Sequence, residues 1–163
     1  MTNEIEIAEY QSSYQARVVE LITHIQQEEY NIPIKLHDQP DLFSIEKVYQ
    51  SGIGNFWVAL HNSRVVGTIA LEDIGNDLAA LKKLFVEPDY RGKNFGTAAH
   101  LLHTVLGWAR SHSIKEIILG TTDQFEAAHR FYEKNGFLKI KESELPPGFP
   151  KLKVDSRFYK YVL

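Results

Sequence analysis

The segment 84–97 brings glycine and basic residues together between an apolar run and a helical pattern. Gly92 and Gly96 allow the backbone to approach a ligand closely, and Arg91 and Lys93 carry charge suited to phosphate oxygens. Backbone N–H groups at the start of the following helix would form an anion site, which the helix dipole strengthens. The segment therefore predicts a pyrophosphate site. The alternative is a basic turn that only caps the helix.

Other kinds of site fail on spacing. Gly92-Lys93 is followed by Asn94, and Glu87 stands where a Walker loop needs its first glycine. His100 and His103 stand three residues apart on a predicted helix, but no third metal ligand has suitable spacing, so we expect exposed histidines and no metal. The sequence has no Gly-x-Ser-x-Gly elbow for a serine nucleophile.

Two motifs give the chain a resemblance to a known family. Arg91-Gly-Lys-Asn-Phe-Gly96, between a predicted strand and a predicted helix, resembles the acetyl-CoA signature Arg/Gln-x-x-Gly-x-Gly/Ala of the GNAT acetyltransferase superfamily. The run from Ala127 to Phe137 is similar to the family's later segment Ala-x-x-Phe-Tyr-Glu-Lys-x-Gly-Phe. The resemblance implies an α/β (mixed α+β), GNAT-like fold. Its mixed, mostly antiparallel sheet would have about seven strands flanked by helices and would splay between strands 4 and 5.

The same resemblance implies where acetyl-CoA, as co-substrate, would bind. Backbone groups of a strand end would pair with the pantetheine amides and polarise the thioester carbonyl, and N–H groups of the following loop would hold the pyrophosphate. The implied cofactor contacts are Leu84, Phe85, Val86, Arg91, Gly92, Lys93, Asn94, Phe95, Gly96, Thr97, Ala128 and Phe131. The sequence departs from the family pattern at Asn94, which replaces a glycine, and at Phe125, which replaces an asparagine.

The resemblance also singles out Tyr132 as the residue that protonates the departing CoA thiolate. A phenol of pKa about 10 can donate to a thiolate whose conjugate acid has a pKa of about 8.5. The alternative is that the Tyr132 ring only packs against the pantetheine or the core.

A general base is not assigned, because Ala79-Ala80 occupies the place where several family members carry a glutamate. A protonated amine must lose a proton before it attacks a thioester, so a base or a water chain is needed. The candidates are Glu72, Asp73, Glu28, Glu29 and His129.

The acceptor surface is expected over the first helix and two proline-rich loops, Pro33–Pro40 and Pro146–Pro150. Acidic residues near these elements would suit a cationic acceptor; they are Glu28, Glu29, Asp38 and Asp41. The acceptor class stays open between a small-molecule amine and a peptide amine.

Hydrophobic periodicity predicts the elements that position these residues. The predicted strands are 3–9, 55–61, 65–71, 79–86, 114–119, 137–141 and 157–162. The predicted helices are one that Ser12-Ser13 caps and that runs to about Tyr30, a short one that Asp41 caps, 96–111, and 125–134. Phe56, Trp57, Trp108, Phe131 and Phe158 are expected in the core. We expect a single N-acetyltransferase domain over 1–163.

Composition narrows the class of protein. The 163 residues are 44% apolar and 24% charged, with a net charge of −3 and no cysteine. This excludes disulfides and thiolate sites and argues against nucleic acid as a partner. The N-terminus lacks a basic, apolar leader and no window is apolar enough for a membrane span, so we expect no membrane partner and a cytoplasmic location.

Three functions remain open from the sequence. The first is an enzyme that transfers acetyl from acetyl-CoA to a primary amine by direct attack in a ternary complex. The second is a non-catalytic acyl-CoA sensor or interaction module, and the third is a protein acetyltransferase that acts on lysine or on an N-terminus. Homodimers are frequent in the family, so a homodimer is possible, although no residue pattern demands one.

Overall fold

Seven strands form one mixed sheet in the computed structural model, which describes residues 4–163. The strands are β1 (Glu6–Glu9), β2 (Asn55–His61), β3 (Arg64–Gly75), β4 (Leu78–Val86), β5 (Glu116–Thr121), β6 (Leu138–Ile140) and β7 (Arg157–Val162). Their order in the sheet is β1-β2-β3-β4-β5-β7-β6. Only the β4–β5 pair is parallel among these strands. The predicted mixed, mostly antiparallel sheet is therefore confirmed.

The helices are α1 (Gln15–Thr23), α2 (Ile45–Val48), α3 (Thr97–Ser111) and α4 (Glu126–Lys134). After Thr23 the first helix continues as a π-helical segment, His24–Glu29. Short 3₁₀ turns occupy Ser12–Tyr14, Leu36–Asp38, Pro40–Phe43, Pro88–Tyr90 and Glu142–Glu144. Among residues 4–163, no helix has the length and apolar character that crossing a membrane requires.

The sheet lies between two helical layers because successive side chains of its central strands point to opposite faces, and apolar residues occupy both faces. Trp57 and Ile69 face one core together with Leu101, Leu102, Val105 and Ala109 of α3. Phe56 and Ala70 face the other core together with Val18, Leu21 and Ile22 of α1. Of the aromatic residues predicted in the core, Phe56, Trp57 and Phe158 are buried, whereas Trp108 and Phe131 are half-buried.

Two predicted helix starts are wrong in detail. Ser12 and Ser13 lie in a 3₁₀ turn, and no side chain caps either that turn or α1. Asp41 also lies in a 3₁₀ turn, where its carboxylate accepts a hydrogen bond from the Tyr49 hydroxyl at 2.5 Å. In both places the backbone forms a 3₁₀ turn before the regular helix begins, as is common at helix ends. Asn3, the predicted start of the first strand, lies outside the described residues.

Candidate functional site

The pairing between β4 and β5 ends early. Only Leu78, Ala79 and Ala80 of β4 pair with β5, opposite Glu116, Ile117 and Ile118. Beyond Ala80, β4 pairs with β3 alone, and β5 pairs with β7. The two strands therefore part in the middle of the sheet, as the resemblance implied, and each leaves one backbone edge without a neighbouring strand there.

A cavity of about 500 Å³ opens where the strands part. Its wall brings together most of the residues that the sequence placed at the site. These are Leu84, Phe85, Val86, Arg91, Gly92, Lys93, Gly96, Thr97, Ala128, Phe131 and Tyr132. The volume lies in the range of small-molecule and cofactor sites.

Asn94 and Phe95 do not line this cavity. Asn94 is exposed in the loop. The Phe95 ring packs against Tyr90, with ring centroids 4.9 Å apart, and against His61 at 5.7 Å. The Phe95 side chain therefore belongs to the packing behind the loop, and only its backbone N–H stays a predicted contact.

The loop before α3 has the backbone geometry of an anion site. Gly92 and Gly96 have positive φ angles of 91° and 60°. Gly96 is the N-cap of α3, and no side chain caps the helix. The first N–H groups of a helix have no acceptor within it, so at an uncapped end they are available to a ligand. The Thr97 hydroxyl instead donates to the carbonyl of Tyr90 at 2.8 Å and fixes the loop.

Arg91 connects this loop to the end of the first helix. Its Nη1 and Nη2 donate to the two carboxylate oxygens of Glu29 at 2.5 and 2.8 Å, and its Nε donates to the carbonyl of Val86 at 2.8 Å. The hydrogen bonds from Arg91 hold the pKa of Glu29 below its usual value. Glu29 is consequently a weaker base than an ordinary glutamate.

A β-bulge on β4 places a lysine at the cavity. Thr68 of β3 pairs with Phe85 and Ala70 pairs with Lys82, so β4 carries one extra residue between these pairs. Lys83 lies in this bulge with a φ angle of 60°, and its carbonyl accepts a hydrogen bond from the Thr68 hydroxyl at 2.6 Å. The bulge turns the Lys83 side chain into the interior, where it lines the cavity and is buried.

Lys83 ends in a buried polar network that sequence analysis missed. Its Nζ donates to Gln39 Oε1 at 2.5 Å and lies 3.3 Å from Asp41 Oδ2. The amides of Gln39 and Gln26 exchange two hydrogen bonds, at 2.7 and 3.2 Å. Burial lowers the pKa of Lys83, although Asp41 opposes the change. The network fixes the chain after the π-helical segment against β4.

Tyr132 lies on α4 with its ring in the aromatic core. Its ring centroid is 5.4 Å from that of Phe137 and 5.9 Å from that of Tyr159. Burial, with a smaller contribution from Tyr159, raises the pKa of Tyr132. The hydroxyl is therefore protonated at neutral pH and can act only as a proton donor or as a neutral hydrogen-bonding group.

The sequence-based base candidates do not line the cavity. The Glu72 carboxylate lies 3.6 Å from Lys82 Nζ, and Asp73 accepts hydrogen bonds from the N–H groups of Ile53 and Gly75. His129 places Nε2 2.8 Å from the carbonyl of Thr122, and burial lowers its pKa. Glu28 is exposed. These side chains have local structural partners or face solvent.

The three elements predicted to form the acceptor surface meet at the cavity, but their acids do not. The first helix contributes Ile25, Gln26 and Tyr30, the following loop contributes Ile34, and the later loop contributes Phe149 and Pro150. Glu28, Glu29, Asp38 and Asp41 are all absent from the cavity wall. The cavity wall therefore lacks the four acids that would suit a cationic acceptor, and the acceptor class stays a prediction. The charged residues of the wall are Lys82, Lys83, Arg91, Lys93, Lys134 and Asp155.

Metal ligands are not assembled in the described part of the chain. No group of three or more histidine, aspartate or glutamate side chains in residues 4–163 could hold an ion. His100 and His103 are exposed on α3, as the sequence predicts.

The cavity fits the thioester ligand that the resemblance implies. Uncapped N–H groups of α3 suit a pyrophosphate, and the β4 edge beyond Ala80 suits the amides of a pantetheine arm. Thr122 lines the cavity, and its buried hydroxyl has no hydrogen-bond partner among residues 4–163. A buried polar atom of this kind needs a partner, and a bound ligand could supply one.

Comparisons with known proteins agree with this geometry. Residues 19–137 match the sequence profile described as the Acetyltransferase (GNAT) family. A GNAT-family acetyltransferase of Staphylococcus aureus Mu50 is 45% identical, with a TM-score of 0.94 over 97% of this chain and 98% of the other. An acetyltransferase of Streptococcus agalactiae 2603 is 37% identical, with a TM-score of 0.94 over 99% of this chain and 100% of the other.

A curated relative has a more specific name. The N-acetylaspartate synthetase of Danio rerio is 32% identical over 124 residues, which are 74% of this chain and 43% of that protein. The chain spans about half the length of the curated relatives that it matches.

Proposed function

This chain belongs to the GNAT acetyltransferase family, and on that premise we propose that it transfers an acetyl group from acetyl-CoA to a primary amine by direct attack in a ternary complex. The observation that carries the proposal is the cavity that opens where the β4–β5 ladder ends, because an uncapped helix start and a buried phenol both belong to its wall. Bound acetyl-CoA would supply the thioester that the amine attacks.

The loop and the free strand edge would bind and orient the co-substrate. N–H groups from Arg91 to Thr97 would hold the pyrophosphate, and the backbone of Leu84–Val86 would pair with the pantetheine amides. A backbone N–H in this edge would polarise the thioester carbonyl. Electrostatic stabilisation of this kind is usually the largest single contribution to catalysis. Holding both reactants in one cavity would supply much of the remaining rate.

Tyr132 would donate its hydroxyl proton to the sulfur that leaves. Its raised pKa keeps the hydroxyl protonated, so the proton is present when negative charge develops on the sulfur. The aromatic packing against Phe137 and Tyr159 holds the ring in one position. The Tyr132 hydroxyl forms no hydrogen bond with residues 4–163, so a ligand would be its partner.

The acceptor would be a small amine that reaches the cavity beside Lys82, Lys83 and Asp155. Two cations next to one carboxylate suit a molecule that carries both an amine and a carboxylate, such as an amino acid. The relative named N-acetylaspartate synthetase makes L-aspartate the first acceptor to test. Spermidine and a lysine-containing peptide would test the cationic and protein acceptors that the sequence left open.

Two measurements test the proposal. Calorimetry with acetyl-CoA should give micromolar binding, and it should be lost in the Arg91→Ala/Gly96→Pro double variant. Release of CoA thiol should then identify which of the three amines is acetylated. Binding without any acetylation would favour the non-catalytic sensor, and an absence of binding up to millimolar acetyl-CoA would refute both functions.

Tyr132→Phe tests the acid directly, because phenylalanine retains the ring and removes the proton. We expect unchanged acetyl-CoA affinity and a fall in turnover of about 10²-fold. Tyr159→Phe is the matched control: its hydroxyl donates to Glu133 at 2.5 Å and lies outside the cavity wall. Equal turnover in Tyr132→Phe and the wild-type protein would rule out the acid role.

A further inference from the structure

The cavity wall contains one carboxylate among the residues that the structure describes, and sequence analysis did not name it. Asp155 lies in the loop before β7, beyond both family motifs. The other ionisable groups of the wall are lysines, Arg91 and tyrosines. Of these types of side chain, a carboxylate is the usual general base for an ammonium group at neutral pH.

A tight turn holds the Asp155 carboxylate in place. The N–H of Leu152 donates to Asp155 Oδ2 at 2.9 Å, and the N–H of Asp155 donates to the carbonyl of Leu152 at 3.1 Å. Oδ1 forms no hydrogen bond within residues 4–163. One oxygen therefore positions the group, and the other is available to a ligand.

A glycine on β5 provides the space for this carboxylate. A Cβ at Gly120 would lie 2.7 Å from Asp155 Oδ2 and 2.8 Å from its Cγ, which is too close for any larger residue. Gly120 also lines the cavity, on the part of β5 that no longer pairs with β4. Asp155 thus lies over β5 where the two strands have parted.

Lysine side chains from two elements surround the Asp155 carboxylate. Lys82 and Lys83 approach it from β4, and Lys151 approaches it from its own loop. All three lysines lower its pKa, but burial outweighs them and raises the pKa above the usual value for an aspartate. Lys82 and Lys83 have carboxylate partners of their own, Glu72 and Asp41. The raised pKa makes Asp155 a stronger base than an exposed aspartate.

We infer that Asp155 binds the ammonium group of the acceptor and removes its proton before the amine attacks. The inference rests on the proposed function and assigns the base that the sequence left open. The acceptor ammonium would give one proton to Oδ1, and the freed lone pair would form the C–N bond as the C–S bond breaks. The sulfur would leave with the bonding pair and take the Tyr132 proton; the second proton of the nitrogen would restore Tyr132. Asp155 would release its proton to solvent.

Asp155→Asn tests the inference, because its side-chain oxygen can still accept the Leu152 N–H while the basic charge is lost. The acceptor is whichever of L-aspartate, spermidine or the lysine peptide the wild-type protein acetylates, and kcat/KM is measured between pH 6 and 10. We expect a loss of about 10²-fold at pH 7 with unchanged acetyl-CoA affinity. The variant must bind the free amine, so its kcat/KM should rise about tenfold per pH unit up to the amine pKa. The wild-type profile should be flat between the pKa of Asp155 and that of the amine, because the reacting forms are the Asp155 carboxylate and the acceptor ammonium.

Glu144→Gln is the matched control. Glu144 also accepts a backbone N–H three residues earlier in a turn, from Lys141 at 2.9 Å, but it is exposed and lies outside the cavity wall. It should behave as the wild-type protein does. Asp155→Glu retains a carboxylate and should keep the flat profile at a reduced rate. If Asp155→Asn does not fold, Asp155→Ser replaces it, because a serine hydroxyl can also accept the N–H of such a turn.

Two results would overturn the inference and leave the proposed function intact. One is an Asp155→Asn rate within threefold of the wild-type rate. The other is a loss of equal size at every pH, which a purely structural role would produce. If the wild-type protein binds acetyl-CoA but acetylates none of the three amines, the proposed enzyme fails, and this inference fails with it.

Discussion

The buried ion pair between Lys83 and Asp41 predicts unequal effects of removing its two members. The side chain of Lys83 is 4% exposed and that of Asp41 is 19% exposed. Asp41→Asn leaves the Lys83 ammonium inside the protein with the neutral oxygen of Gln39 as its hydrogen-bond partner and only the more distant charge of Asp155 to stabilise it. Lys83→Met leaves a carboxylate that still accepts the Tyr49 hydroxyl and still reaches water. We therefore predict that Asp41→Asn lowers the free energy of unfolding more than Lys83→Met does.

The structure sets the size of both effects. Breaking a buried pair from one side costs about 3–5 kcal/mol. Deprotonation limits this cost, because a lysine with an unfolded-state pKa of 10.5 can become neutral at pH 7 for about 5 kcal/mol. Methionine retains most of the volume of lysine, and burial already disfavours the ammonium form of Lys83. Lys83→Met should therefore cost no more than about 1.5 kcal/mol.

The pH dependence has a definite sign. The pKa of Lys83 is lower in the folded state than in the unfolded state. The unfolded state therefore binds more protons between these two pKa values, and stability rises with pH across that interval. Asp41→Asn lowers the folded-state pKa further, so its penalty should shrink by up to about 1.4 kcal/mol per pH unit between the two folded-state pKa values.

Urea unfolding at pH 7 and pH 9 measures these effects without any ligand. The fluorescence of Trp57 and Trp108 reports on the core, because their rings pack edge to face with centroids 5.5 Å apart. In the double variant no buried ammonium remains, so it should be more stable than Asp41→Asn alone. Equal costs for the two single variants, or a double variant as unstable as Asp41→Asn, would refute the reasoning.

Two further predictions concern the cavity. Glu29→Gln should strengthen CoA binding about two- to fivefold at low salt, because it frees Arg91 from a partly exposed pair worth about 0.2–1 kcal/mol. Calorimetry at two salt concentrations checks this. Glu20→Gln is the control, because it removes the same charge beside Arg17. An unchanged CoA affinity of Glu29→Gln would contradict the prediction. Gly120→Ala should displace the Asp155 carboxylate, lowering acetyl transfer at least about tenfold and stability by about 1–3 kcal/mol. Gly107 lies on α3, and outside the helix's own backbone nothing lies within 4 Å of a Cβ added there, so Gly107→Ala should retain full activity. A fully active Gly120→Ala would count against the placement of Asp155.

Much of the fold could be predicted because its signals are local. Period-two alternation indicated β2, β3 and β4, and the turns between them contain Asn62, Ser63, Asn76 and Asp77, all with positive φ. The predicted helices 96–111 and 125–134 each begin one residue before α3 and α4 and end at the same residues. The loop between Arg91 and Thr97 is also contiguous in sequence, so the types and the order of its residues specify its backbone geometry.

The polar side chains of the cavity depend on contacts between distant segments, and no local pattern predicts those. Lys83 looks like one of two exposed lysines in an ordinary strand, and only the extra residue in the ladder with β3 turns it inward. Gln39 becomes its partner because the first helix ends in a π-helical turn and the loop folds back.

Asp155 shows the same limit more clearly. It stands in a polar run between Lys153 and Arg157, which reads as a solvated loop. Pairing of β7 with β5 brings that loop to Gly120, and the missing Cβ of Gly120 admits the carboxylate. The acids chosen from sequence failed because nearness along the chain to the first helix does not determine which side chains face the cavity. A motif search therefore finds the loop that would bind the co-substrate, whereas the group that would deprotonate the acceptor can be found only from the assembled sheet.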